Sequence, residues 1–320
     1  MPPVFFSVVI PTYNRKSVLE KCLQALEAQV FTPNSPIERY ELVVVDDGST
    51  DGTVEWLQDN PEMFPHVRVV QQAHKGIAEA RNLGVTAAEG DVIVFIDSDV
   101  FVLPDCLDNH GLGLDKAAQQ GNPKVFTYGQ LINTCDFDAP TDAKLKVTDL
   151  SAAFFETNNV AIAKHWLIDA GLFDTQFTQY GWEDLEMGVR LKKMGLTVVK
   201  CPDAIGYHWH APFSVEEIPS LIEKEIQRGR MGVVFYQKHP SWEVRMMIQM
   251  TWIHQLLWGL LTVGGRLNEK TMTPLLEWIV NQGKPQLAQE IARIFLNWYN
   301  VQGVYAAYAE LQHDGRKTGP

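Results

Sequence analysis

The first two thirds of the chain alternate short apolar runs with stretches of helical periodicity. Residues 4–10 form an apolar run of strand length, and residues 17–29 place Val18, Leu19, Cys22, Leu23 and Leu26 on one helical face. Residues 41–45 supply the next strand, completing a βαβ unit. The pattern then predicts a helix capped by Asp51 and running to Leu57, a strand at 67–70, a helix at 76–88 and a fully apolar strand at 92–96. Strands alternating with helices predict an α/β fold with a mainly parallel sheet. Residues 133–146 turn polar and read as a loop. After Pro212 only helical patterns remain, around 218–236, 244–263, 272–281 and 286–311. These observations predict two domains, an α/β domain over 1–213 and a helical subdomain over 214–320.

The segment 246–263 is the most lipid-like, but Gln249, His254 and Gln255 interrupt it, and it falls short of the ~20 apolar residues that span a bilayer. Arg245, Gln249, Gln255, Thr262 and Arg266 form a stripe at helical spacing, which predicts an amphipathic helix. The stripe is poor in Lys and Arg, so packing on the core is expected rather than attachment to a membrane surface.

Composition narrows the partners. The 320 residues carry 27 Lys plus Arg against 39 Asp plus Glu, a net charge of −12, which disfavours nucleic acid. The hydrophobic share of 46% allows an ordinary core. The four cysteines, Cys22, Cys106, Cys135 and Cys201, lack paired spacing and point to neither a zinc site nor a disulfide framework. The N-terminus runs into a strand without a basic region, so no signal peptide is expected and the compartment is expected to be cytoplasmic.

The chemistry collects at strand ends. In an open α/β sheet the crevice outside the carboxyl ends of the strands is the usual ligand site. Asp97-Ser98-Asp99 ends the apolar strand at 92–96, and residues two apart in an extended segment face one way, so Asp97 and Asp99 are candidate ligands of one hard divalent cation with substrate phosphates in its shell. Asp46-Asp47-Gly48-Ser49 ends the second strand. Its calcium-loop reading fails because the twelfth place holds Gln58 rather than Glu. Asp47 suits the imide N–H of a uracil. Pro11-Thr12-Tyr13-Asn14 ends the first strand; Pro11 is expected to stop it, Asn14 or Ser17 to cap the next helix, and Tyr13 to stack on a planar ligand. Gly76 lets a ligand approach the backbone, and Arg81 is either a diphosphate contact or a solvent-facing arginine.

Gly181-Trp182-Glu183-Asp184 opens a helix with acids in its first turn, where the dipole favours them, and an exposed Trp182 there makes a sugar-stacking platform beside a base. Gly206-Tyr207-His208-Trp209-His210 offers two imidazoles, of which His208 is the expected nitrogen ligand; it favours manganese over magnesium.

In this order the motifs, with Asn158-Asn159, resemble the family 2 glycosyltransferases of GT-A fold over roughly the first two thirds of the chain. The resemblance implies a GT-A (Rossmann-like) sheet flanked by helices, a Mn2+ or Mg2+ ion, and inverting transfer from a nucleotide-sugar, most often a UDP-sugar, to a glycan, lipid-linked or small-molecule acceptor. It further implies nucleotide-sugar contacts from Pro11, Thr12, Tyr13, Asn14, Asp46, Asp47, Gly76, Arg81, Asp97 and Ser98, and metal contacts from Asp99, Asp97 and His208. Asp184, with Glu183, would act as catalytic base, and Trp182, Glu183 and Asn158 would meet the acceptor. The Gly-Trp-Glu-Asp sequence is similar to the galactosyltransferase-type C-terminal half. No Gln-x-x-Arg-Trp follows the acidic pair and no transmembrane segment is expected, which implies addition of one or a few sugars, with peripheral contact at the inner membrane face and homo-oligomerisation left open. Alternatives are a retaining GT-A transferase, a sugar-phosphate nucleotidyltransferase and a non-catalytic nucleotide-sugar-binding protein.

Overall fold

The computed structural model describes residues 3–149, 151 and 153–317. It divides into two compact units, one of Met1–Thr175 with Glu183–His210, the other of Gln176–Trp182 with Ala211–Pro320.

The first unit is built on one eight-stranded sheet among the described residues, in the order β3-β2-β1-β4-β7-β6-β8-β5. The strands are β1 (Val4–Thr12), β2 (Ile37–Asp46), β3 (Val67–Gln71), β4 (Val92–Ile96), β5 (Val100–Val102), β6 (Val125–Thr134), β7 (Asn159–Ala163) and β8 (Thr197–Trp209). The half made by β3, β2, β1 and β4 is wholly parallel. β7 runs antiparallel to β4 and β6, β8 parallel to β6, and β5 antiparallel to β8, so the sheet as a whole is mixed. α1 (Lys16–Glu27), α2 (Thr53–Asp59), α3 (Ile77–Ala87), α4 (Cys106–Gln119), α5 (Lys164–Asp169) and α6 (Glu183–Lys193) flank it.

Two apolar layers, one on each face, exclude water from the strands. Phe6, Val8, Ile10, Val94 and Ile96 bury one side against Leu19, Leu23, Leu107 and Leu114 of α1 and α4. Val9, Val43, Val45 and Phe95 bury the other with Ala80 and Val85 of α3 and Met187 and Leu191 of α6. α3 lies so close to the sheet that a Cβ on its Gly84 would stand 2.3 Å from a Val9 methyl.

Two local expectations are revised. β1 continues through Pro11, which pairs with Val45 of β2; the β4 ladder has already ended at Val9, where a strand tolerates a residue without an N–H. Neither Asn14 nor Ser17 caps α1: the Lys16 N–H is taken by Asp51 Oδ2 at 3.0 Å, while Asp51 Oδ1 accepts from Thr53 at the start of α2. One carboxylate thus ties two helix starts together.

The second unit is helical, with α7 (Ile218–Lys238), α8 (Trp242–Met247), α9 (Trp252–Leu261), α10 (Glu269–Asn281) and α11 (Pro285–Lys317). Its core gathers Phe213, Ile218, Leu276, Ile279, Phe295 and Leu296. α7 and α11 meet through glycine, since a Cβ on Gly229 would lie 2.6 Å from the Asn300 carbonyl and one on Gly303 2.9 Å from that of Ile226. The single helix expected over 244–263 is broken between α8 and α9, where Gln249 takes φ 60° and Thr251 caps α9 through the His254 N–H. The expected core packing of this segment holds for Ile248 and Met250, which are buried, but not for α9, where no residue is buried and the leucines face solvent. No helix among the described residues is long and apolar enough to cross a membrane.

Candidate active site

Strand order reverses at β1: β2 and β3 lie to one side of it and β4 to the other. The crevice at the carboxyl ends of β1 and β4 is therefore the topological switch point, the place where such sheets bind ligands. Pro11 to Asn14, Asp46 to Ser49 and Asp97 to Asp99 all end strands there.

The β1 and β2 ends are held by each other's polar groups. Buried Asp46 accepts the Ser49 N–H, Ser49 Oγ accepts the Asn14 N–H at 2.9 Å, and Asn14 Oδ1 accepts the Thr50 N–H at 2.7 Å. Asn14 adopts φ 52°, a region that asparagine enters more readily than most residues. Thr12 is buried with its hydroxyl unpartnered.

Asp47 organises the segment before α3. Its Oδ1 accepts from Gln72 Nε2 at 2.7 Å and the Lys75 N–H at 2.9 Å, and its Oδ2 accepts the Gly76 N–H at 2.9 Å and pairs with His74 Nδ1. The carboxylate expected to receive a uracil imide is thus occupied by protein donors. Gly76 itself has φ 94°, which places its N–H toward Asp47 and favours glycine. Tyr13, expected to stack on a planar ligand, stacks on the His74 ring at 4.1 Å with 20° between planes.

The acidic triplet follows a different geometry from the extended one expected. Residues 97–99 form a turn closed by the Val100 N–H on the Asp97 carbonyl, and Ser98 is buried within it. β5 then pairs with β8 so that Val100 stands opposite His208, and the Trp209 N–H binds the Asp99 carbonyl. This pairing delivers an imidazole to the triplet. Asp97, Asp99 and His208 each offer one ligand atom, all within 4.8 Å of one another. His208 Nε2 lies 3.3 Å from Asp99 Oδ1, and Arg15 Nη1 pairs with Asp99 Oδ2.

The charges in this cluster respond to one another. Burial works to raise the Asp99 carboxyl, but the His208 hydrogen bond and the charges of His208 and Arg15 bring it down to about 2. Burial would depress His208, yet Asp99 and Asp97 raise it. Asp97 is raised, burial dominating over the opposing Arg81. Two carboxylates and an imidazole on one side of a crevice form a donor set suited to Mn2+, and Asp99 Oδ1 has no hydrogen bond of normal length. His210 bonds Asn133 Oδ1 at 2.9 Å, with its ring 4.1 Å from that of His208.

Arg81 is neither solvent-facing nor free for a diphosphate in this arrangement. It is 5% exposed, with Nη1 on Glu183 Oε1 at 2.8 Å and Nη2 on Asp97 Oδ1 at 3.4 Å. The pair joins the Asp97–Asp99–His208 cluster to the N-terminus of α6. Burial and the neighbouring Glu183 carboxylate raise the Asp184 carboxyl well above the ordinary range, with Glu156 adding to the effect. The remaining Glu183 oxygen, Oε2, is buried without a partner.

A cavity of about 180 Å³ reaches from His208 past Asn158 to Glu156, Tyr128 and Lys200. The Asn158 side-chain oxygen, Oδ1, is buried and unpartnered, and Tyr128 Oη donates to Glu156 Oε2. Asn159, the adjacent residue of the pair, is structural instead: fully buried, it donates to the Ala204 carbonyl and accepts from His110. Glu156 and Tyr128 carry no motif in the sequence and were not expected at the site.

Trp182 is not an exposed platform. It is 6% exposed, its Nε1 donates to the Arg228 carbonyl at 2.7 Å, and its ring packs near Phe235 beneath the Arg228 guanidinium. Helix α7 supplies these partners, and burying the indole against them outweighs leaving it in water.

Comparison with known proteins bears on the kinship and the fold of the chain. Residues 7–116 match the profile of Glycosyl transferase family 2. An uncharacterized glycosyltransferase of Bacillus subtilis, YfnE, is 27% identical over 268 residues, 67% of this chain and 67% of that protein. Chondroitin synthase of Escherichia coli is 29% identical over 258 residues, which cover 69% of this chain but only 37% of the synthase. In fold alone, the mannosyltransferase PcManGT of Pyrobaculum calidifontis, solved with GDP-Man and Mn2+, superposes with a TM-score of 0.55 at 20% identity over 98% of this chain and 88% of that one. These matches give residues 7–116 the pattern of a family 2 glycosyltransferase domain and make the chain similar to glycosyltransferases, on a helix-flanked sheet of GT-A type.

Proposed function

We propose that the chain is a metal-dependent, inverting glycosyltransferase that moves one sugar from a nucleotide-sugar, a UDP-sugar in the first instance, to a hydroxyl of a glycan, lipid-linked or small-molecule acceptor. The observation that carries this reading is the meeting of Asp97, Asp99 and His208 at the switch point of the sheet, joined through Arg81 to the acidic start of α6. PcManGT was solved with GDP-Man, and GDP-mannose is accordingly the competing donor.

Asp97, Asp99 and His208 would hold Mn2+ or Mg2+, which neutralises charge growing on the departing diphosphate. Asp184 takes the proton of the acceptor hydroxyl as that oxygen bonds to the anomeric carbon and the carbon–diphosphate bond breaks. No covalent sugar–enzyme bond is needed. Arg81 fixes Glu183 and Asp97 in place, so its contribution is to position carboxylates. Tyr13 offers its ring to the base once His74 moves aside, and Asp47 shapes the backbone at Gly76 beside it. Asn158 in the wall of the cavity would receive a sugar hydroxyl.

The test is nucleotide release from a panel of UDP-sugars and GDP-mannose with acceptors present, in Mn2+ and in EDTA, for the wild type and for Asp99→Asn and Asp184→Asn. Metal-dependent turnover of one donor, lost in both variants, supports the proposal. Retention of turnover in EDTA, or in Asp184→Asn, contradicts it. The anomeric configuration of the product, read by NMR, separates inversion from retention.

A further inference from the structure

The sequence from Met246 to Gly265 contains no Asp, Glu, Lys or Arg, in a chain where these make up 21% of residues. Such a stretch belongs in a core, and Ile248 and Met250 are buried, yet α9 lies on the surface of the helical unit. Trp252 is 68% exposed, Leu256 53% and Leu260 69%, and Ile253, Leu257, Leu261 and Val263 are each 45% exposed or more. Their spacing along α9 puts them on one face.

The opposite face is turned to protein. Thr251 and Thr262 are buried, Gly259 and Gly265 lie against the Trp298 ring of α11, and Gln249 binds Trp258 Nε1 and Asn297. The helix is therefore amphipathic in the inverted sense, polar and small residues inward and leucines outward. Much of the polar face is thus taken up by contacts with protein, although Gln255 on it remains exposed. The bases stand at the ends instead, Arg245 before the stretch and exposed Arg266 after it.

We propose that α9 docks on an anionic lipid bilayer surface, with the leucine face in the acyl boundary, Trp252 at the headgroup level and Arg266 against lipid phosphate. An anionic surface suits the charge of this face, which has no acid between Met246 and Gly265 and exposed Arg266 just beyond it.

The test uses the full chain with vesicles of phosphatidylcholine alone and of phosphatidylcholine mixed with phosphatidylglycerol. The expected result is co-sedimentation with the anionic vesicles and a blue shift of tryptophan emission. Leu256→Glu with Leu260→Glu should weaken binding roughly tenfold or more. Circular dichroism and donor turnover of that variant should match the wild type, which keeps this result separate from the fate of the proposed reaction. Arg266→Gln should narrow the preference for anionic over neutral vesicles several-fold. Absence of sedimentation with either vesicle, equal binding to both, or unchanged binding by the leucine variant overturns the proposal. So does a concentration-dependent dimer that the leucine substitutions convert to monomer.

Discussion

Arg81 Nη1 lies 2.8 Å from Glu183 Oε1, joining residues 102 positions apart and fastening α3 to the first turn of α6. Both side chains are almost wholly shielded, at 6% and 9% exposure, and Asp97 shares the same guanidinium. Removing the cation leaves buried negative charge uncompensated. Arg81→Met is expected to destabilise the fold by roughly 3 to 5 kcal/mol, read by urea denaturation. Adding Glu183→Gln should recover part of that loss, because the second change removes the orphaned charge. Additive losses in the double variant would show that the two residues act independently.

Asp184 is held protonated beyond the usual carboxylate range, first by burial and then by the Glu183 charge. In the proposed reaction Asp184 must be ionised to accept a proton, so turnover should rise with pH through this displaced pKa. Glu183→Gln removes a neighbouring negative charge and leaves Arg81 nearby, and both changes favour the ionised form. The rising limb should therefore shift to lower pH in that variant. A kcat–pH profile at saturating donor measures it, and a limb that stays in place would assign the titration to another group.

His208 brings nitrogen to an otherwise carboxylate site. Its loss should weaken manganese more than magnesium, since imidazole suits transition metals and oxygen suits magnesium. His208→Ala is expected to lower Mn2+ affinity roughly tenfold or more, while Asp99→Asn should weaken both ions. Titration of free Mn2+ by electron paramagnetic resonance reads this directly. Unchanged Mn2+ binding by His208→Ala would remove the imidazole from the ligand set.

What the sequence displayed was local. The apolar runs of β1 and β4 and the periodicity of α1 and α3 can be read from a dozen residues each, and the acids at strand ends come with them. Partner choice could not be read in this way. Trp182 is buried because α7, some 46 residues later, offers Arg228 and Phe235. Arg81 turns inward because Glu183 arrives there. Glu156 and Tyr128 border the cavity only once β6 and β7 are paired. The leucines of α9 have the composition of a core, and nothing in their spacing shows that small and polar residues face α11 instead.

Glu41 gives a stability prediction outside the active site. Its Oε1 accepts from Ser7 Oγ at 2.6 Å and the Glu89 N–H at 2.7 Å, and its Oε2 accepts from Arg68 at 2.8 Å, linking β1, β2, β3 and the end of α3. Burial works to raise this carboxyl, but the Ser7, Glu89 and Arg68 bonds together lower it below its ordinary value. A carboxyl depressed in the folded state stabilises fully above its unfolded pKa, and that contribution is lost as pH falls through the folded one. Glu41→Ala should cost roughly 2 to 4 kcal/mol at neutral pH, because buried Ser7 and the Glu89 N–H lose their acceptor. The deficit should shrink below the ordinary glutamate range, where the wild-type carboxyl is itself protonated. Urea midpoints of both proteins from pH 7 to pH 3 measure this, and a gap that stays constant across that range would show that the charge of Glu41 contributes nothing to the fold.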